Sequence, residues 1–297
     1  MHRKVIAIAS SIALTLCCAD ALAHFSSLAL HSKADGGLRV EAKALAFNHR
    51  QRPATPAEQA AFSSVGAFYC KSKNGWHHFG TGFLTEHSSQ KVVTNEHIFT
   101  FVDQSDDVCD GKRRYPDIKF FLAACNEFFD VVDRRARTND VTSNRGKDLA
   151  VVTLRKPACA SAKGLRMRVL SDKDMSALTK GGAVVVSTYP AAPITPGKLA
   201  VLKGLEAAKS AGEVEGITLS VGAGRLGKII DEPENEYFVE HTVSTFYGAS
   251  GSPTVASWKG SYAAFGVHSG FENDQSDHNW SIAFTDSIIG WIRSASD

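Results

Sequence analysis

The sequence predicts an all-β protein of two consecutive small barrels, closed off by one terminal helix. Three observations carry that reading. Apolar residues come in short runs bounded by Gly, Ser, Asn and Pro clusters, the texture of strands joined by tight turns. That texture occurs twice, before and after a helical or linker segment at residues 170–180. The last apolar residues switch to helical spacing, in Asp286-Ser-Ile-Ile-Gly-Trp-Ile-Arg293 behind an N-capping acid. With 297 residues, 43% of them hydrophobic and 22% charged, the chain can fill one large core or two small ones.

Residues 1–23 read as an export signal that is removed. His2-Arg3-Lys4 supply the basic start, residues 5–18 an apolar run, and Ala21-Leu22-Ala23 a small-residue cleavage site. The run is too short to span a bilayer and no second one follows, so the expectation is a secreted or periplasmic protein with no membrane attachment. Leu16 and Cys17, which precede Cys17 and Cys18, fit a lipoprotein site poorly. Net charge is only +2, with both signs interspersed, and this argues against nucleic acid or a membrane as partner. Residues 24–63 are polar and broken by Lys33-Ala-Asp-Gly-Gly37 and Arg52-Pro-Ala-Thr-Pro56. They read as a pro-segment or an N-terminal arm, with one short helix at residues 56–62.

The first barrel is expected over residues 64–170. Its strands are the runs at 65–70, 78–84, 90–94, 118–123, 128–132 and 148–154, and six strands suit a small closed barrel. Residues 134–145 form a basic loop best read as a solvated surface. The second barrel, residues 181–297, takes the runs at 183–188, 199–203, 217–221, 226–230, 237–243, 254–256, 262–268 and 281–284. Gly222-Ala-Gly224-Arg-Leu-Gly227 matches a dinucleotide-binding pattern, but Lys-Ile-Ile-Asp-Glu-Pro233 follows where a helix is required, so it reads as a turn. No cofactor is expected. Cys70, Cys109, Cys125 and Cys159 remain after signal removal, an even set in an oxidising compartment, with three possible pairings. No C-x₂-C pair exists, and His77 and His78 point to opposite sides of a strand, so no metal site is expected.

Three strings carry chemistry. Val92-Val-Thr-Asn-Glu-His97 ends a strand on a histidine, Asp148-Leu-Ala-Val-Val begins one on an acid, and Gly248-Ala-Ser-Gly-Ser-Pro253 puts a serine between glycines. A serine hydroxyl becomes a nucleophile only beside a base, and flanking glycines leave backbone N–H groups free to face an oxyanion. Asp140 is the rival acid to Asp148. In this order the three strings resemble the chymotrypsin-like (trypsin-like) serine proteases, over residues 64–295.

That resemblance implies two six-stranded Greek-key barrels and a catalytic set of His97, Asp148 and Ser250. It also implies an oxyanion hole at the N–H groups of Gly248 and Ser250. Ala249 stands where digestive members carry the aspartate that pairs with a new N-terminus, so activation by that ion pair is not expected. The primary pocket would be lined by Ser244, Thr245 and His268. No carboxylate stands at its base, which disfavours Arg or Lys substrates. Thr245 and His268 in Gly266-Val-His-Ser-Gly270 resemble the pocket of glutamyl endopeptidases and suggest acidic residues before the scissile bond. The alternative is that His268 only packs in the wall. His241 is expected to be a strand residue rather than a second base. The function expected is a monomeric secreted endopeptidase acting on proteins or peptides. A periplasmic quality-control protease is disfavoured because too few residues follow Ser250 for a peptide-binding PDZ domain. The alternative from another class is an inactive homologue acting as a secreted binding protein.

Overall fold

Side chains alternate along a strand, so its two faces meet different surroundings. The computed structural model describes residues 26–32, 38–44, 52–72, 75–99, 117–138, 147–180, 182–189, 201–202, 219–232, 236–243, 245, 248–258, 260–271 and 279–296. Residues 1–23, Cys109, Asp140 and Ser244 lie outside the described residues. The front of the chain holds an antiparallel hairpin of β1 (Ser26–Ser32) and β2 (Leu38–Ala44). It then forms β3 (Arg52–Pro53) and helix α1 (Pro56–Ala61), which begins on a Thr55–Glu58 capping box.

The first barrel uses β4 (Val65–Ser72), β5 (Gly75–Leu84), β6 (Lys91–Thr94), β7 (Ile118–Leu122), β8 (Glu127–Ala136) and β9 (Ala150–Leu154). They pair in the order β5-β4-β7-β8-β9-β6, and β6 pairs back onto β5, so the sheet closes. Alternation decides which residues meet inside. Ala150, Val152 and Leu154 join Phe68, Phe79, Phe99, Phe120 and Phe129 in the barrel interior. Leu149 and Val151 point the other way, into a separate core.

Residues 155–171 cross to the second half, pinned on both sides: Leu165 N–H donates to Leu84 O (2.9 Å) and Arg168 N–H to Ala264 O (2.9 Å). Helix α2 (Asp172–Thr179) follows with its own Ser171–Asp174 capping box. The second sheet contains β10 (Val184–Thr188), β12 (Ser220–Gly224), β13 (Leu226–Glu232), β14 (Glu236–His241), β15 (Pro253–Trp258), β16 (Ser261–Phe271) and β17 (Asn279–Ala283), in the order β13-β14-β17-β16-β15-β10-β12-β3. β12 and β13 are separated only by Arg225, so one bent ribbon serves both edges and the pairing order repeats that of the first barrel. Val184, Val186, Leu226, Val239, Ala256 and Phe265 fill this half.

Three expectations need correction. Residues 134–136, expected in a solvated loop, continue β8 and pair with Val152, Val151 and Ala150, because the neighbouring β9 extends the ladder. Residues 222–227 are not a turn but an extended ribbon interrupted at Arg225, which still excludes a dinucleotide site. The run at 199–203 forms β11 (Val201–Leu202), which pairs with Trp76 and His77 of β5 in the first sheet rather than within the second. An open strand edge captures a short run whatever half of the chain it comes from.

The core between the halves draws Val65, Ala67, Tyr69, Phe83 and Val93 from one side and Val185, Tyr189, Val255 and Val267 from the other. The terminal helix α3 (Asp286–Ser296) buries Ile288 and Ile292 there and reaches the first barrel, where Arg293 Nε donates to His87 Nε2 (3.0 Å). The N-terminal arm joins the same structure. β3 pairs with Ser220 and Val221, and Phe62 is fully buried with its ring 4.8 Å from that of Tyr262. Cys125 and Cys159 form a disulfide, and Cys70 is disulfide-bonded as well.

Candidate active site

The β-branched run Val92-Val93-Thr94 ends β6 in full burial, and the chain then turns helically, with Phe99 N–H donating to Glu96 O (3.0 Å). This turn carries His97. Beside it, β9 is preceded by Asp148, whose side chain is 4% exposed. A carboxylate so buried persists only with donors around it. Asp148 Oδ1 accepts the His97 backbone N–H (2.7 Å), and Oδ2 accepts from both His97 Nδ1 (2.5 Å) and Ser269 Oγ (2.7 Å). The Asp148 main-chain carbonyl accepts Asn95 Nδ2 (2.9 Å). The carboxylate holds the imidazole proton on Nδ1 and leaves Nε2 as the basic nitrogen.

Ser250 stands in the turn between β14 and β15, and its Oγ lies 3.5 Å from the carbonyl of Ser269, the residue that bonds Asp148. Ser269 thus links the serine turn to the His97–Asp148 pair. The turn itself is held by its carbonyls. Gly248 O accepts Thr81 Oγ1 (2.7 Å), Ala249 O accepts Ser252 N–H (3.0 Å), and Ser250 O accepts Thr81 N–H (2.8 Å). Gly248 and Gly251 both take φ +87°, which a β-carbon opposes. Among the described residues, neither the Gly248 nor the Ser250 N–H has an acceptor within the chain. Two unpaired donors on either side of Ala249, one of them on the serine itself, suit an anionic oxygen.

The pocket expectations fall into two sets. Thr245 is half-buried, and its Oγ1 accepts Asn279 Nδ2 (2.9 Å), which also donates to Val243 O (2.7 Å). A hydroxyl that accepts from an amide keeps its own proton to give. His268 is 2% exposed; its Nδ1 lies 3.3 Å from His241 Nε2, and its ring also bonds the backbone of Trp280. His241 ends β14 in full burial, with its Nδ1 accepting the Val243 N–H (3.3 Å). Burial, more than the nearby His97, pushes the His268 pKa down to about 3. His268 therefore stays neutral, packed against His241 within the sheet. Sequence reasoning gave no role to Ser269, Asn95, Asn279 or Thr81; Ser269 adjoins the expected His268 and Asn95 lies within the string that ends on His97, while Asn279 and Thr81 carry no local signature. Among the described residues no cluster of His, Cys, Asp or Glu could hold a metal ion, and no helix is long and apolar enough to cross a membrane.

The family model of the trypsin-like peptidase domain matches residues 80–260. A solved structure of a Glu endopeptidase in complex with MPD is similar to this chain with a TM-score of 0.55 and 17% identity, covering 83% of this chain and 96% of that one. No curated protein sequence matches. At that identity the structural likeness speaks for the fold, and the fold is the chymotrypsin-like one.

Proposed function

Since this chain belongs to the trypsin-like peptidase domain family, we propose that it is an exported serine endopeptidase whose catalytic set is Ser250, His97 and Asp148. The observation that carries the reading is the Asp148 carboxylate, bonded at once to His97 Nδ1 and to Ser269, whose carbonyl faces the Ser250 hydroxyl. Ser250 Oγ attacks the scissile carbonyl carbon while His97 Nε2 takes its proton. The carbonyl oxygen becomes an oxyanion held by the N–H groups of Gly248 and Ser250. Collapse breaks the C–N bond, and His97 returns the proton to the leaving amine. Water then repeats the sequence on the acyl-enzyme. Asp148 keeps the tautomer and stabilises the imidazolium.

The substrates proposed are proteins and peptides with an acidic residue before the scissile bond. Thr245 donates to the carboxylate, and His268 packs in the wall. Residues 1–23 direct export and are removed.

Ser250→Ala is expected to abolish both peptide hydrolysis and labelling by a fluorophosphonate. Labelling that persists in the variant would assign the nucleophile elsewhere, and a wild-type protein that neither labels nor cleaves would be the secreted binding protein instead.

A further inference from the structure

Thr81 lies on β5 in the first barrel, yet its polar atoms serve the second. The geometry points to Thr81 as a positioning residue that holds the oxyanion-binding turn from the opposite barrel; this rests on the serine-peptidase reading above. Its side chain is fully buried. A hydroxyl has one proton and two lone pairs. The proton goes to Gly248 O at 2.7 Å, and the oxygen accepts the Tyr189 N–H at 3.2 Å, while Thr188 Oγ1 and Tyr189 O lie farther off at 3.4 and 3.5 Å. The Thr81 backbone N–H meets Ser250 O at 2.8 Å, and the Thr81 carbonyl is itself fixed by Thr94 Oγ1 at 2.7 Å. One residue therefore grips the carbonyls of Gly248 and Ser250, the two residues whose N–H groups would face the oxyanion.

Gly248 needs that grip. At φ +87° and without a side chain, nothing of its own resists rotation of its peptide planes. The hydroxyl removes this freedom by pinning the carbonyl toward the first barrel. Without it, Gly248 O and Tyr189 N–H are buried and unpaired, a situation that the turn relieves by rotating toward other donors. Rotation swings the Gly248 N–H off its target. The cost then falls on the transition state, where charge develops, and not on binding of the substrate.

The test uses the full chain with Thr81→Val, which keeps the shape and deletes the hydroxyl, and Thr81→Ser, which restores it. Steady-state hydrolysis of a peptide substrate and inhibition by the matching peptide aldehyde are read for each. Thr81→Val is expected to lower kcat about 10- to 100-fold, less than or near the loss of one whole oxyanion donor. KM should stay within about twofold, and the aldehyde Ki should rise in step with the fall in kcat. Thr81→Ser should recover to within about threefold of wild type. Thr81→Val at wild-type kcat, a loss confined to KM, or a serine variant as slow as the valine one would each overturn the role. Should the valine variant not fold, Thr81→Ala is read by the same criteria. A wild-type protein that a fluorophosphonate fails to label removes the peptidase reading and this inference with it, whereas a labelled wild type with an indifferent Thr81→Val removes this inference alone.

Discussion

Replacing Gly251 by alanine imposes two costs that the structure allows to be separated. The first is the backbone: φ +87° costs a residue with a β-carbon about 1–2 kcal/mol. The second is crowding at the seam between the barrels, since an added Cβ would lie 1.9 Å from Thr81 O and 2.1 Å from Thr94 Oγ1. Ordinary contact begins near 3.4 Å, so the turn must withdraw by more than an ångström. That displacement breaks the Thr81 N–H bond to Ser250 O and loosens Thr94 Oγ1 from Thr81 O. Each buried bond lost costs about 1 kcal/mol net, which brings the expected destabilisation to about 2–4 kcal/mol. Gly260 is the internal control, because it has nearly the same φ, +81°, and nothing within 4 Å of its added Cβ. Gly260→Ala should cost only the backbone term, about 1–2 kcal/mol. Urea unfolding midpoints of the three proteins give the comparison, and fluorophosphonate labelling rates report whether the nucleophile turn has moved. Two alanine variants that agree to within about 0.5 kcal/mol would refute the crowding account.

The remaining predictions concern pH and specificity. His78 is buried with its Nε2 on Gly80 O (2.9 Å), and burial pushes its pKa from 6.5 down to about 4. Between those values the unfolded chain binds a proton that the folded one refuses, so stability falls as the pH drops from about 6.5 toward 4, by up to about 3 kcal/mol, and is flat above. His268, held down to about 3, adds a slope of the same sign over this window. His78→Gln should therefore remove one proton's share of the slope in denaturation curves rather than all of it, and an unchanged slope would place that proton elsewhere. Thr245→Val removes the hydroxyl that Asn279 orients. Its kcat/KM for a glutamate substrate should fall about tenfold against a phenylalanine one, and an unchanged ratio would take Thr245 out of the pocket.

Alternation made the strands legible. The string Asp148-Leu-Ala-Val-Val-Thr-Leu154 announces both a strand and its acid, and Ala150 and Val152 turn inward as period two requires. Other parts were silent for physical reasons. Thr81 meets Gly248 across 167 positions and Asn95 meets Asp148 across 53, and neither contact leaves a mark on its neighbours in sequence. The short β11 has too few residues to dictate a partner, so the available edge of β5 decided it. Pro53 disguised β3, because proline ordinarily breaks a ladder; at a sheet edge its missing N–H costs nothing. His268 showed its position in the sequence but not its burial, which depends on His241 arriving from another strand.

The placement of Arg52–Phe62 sets a boundary on how the chain can be shortened from its front. A trimming protease that stops ahead of Arg52 keeps the pairing of β3 and the contact of Phe62 with Tyr262. One residue further and it starts to unpick the edge of β12; past Phe62 it strips the ring that Tyr262 stacks against. Any shortening from the front therefore begins to cost stability at β3, ahead of the first strand of the barrels.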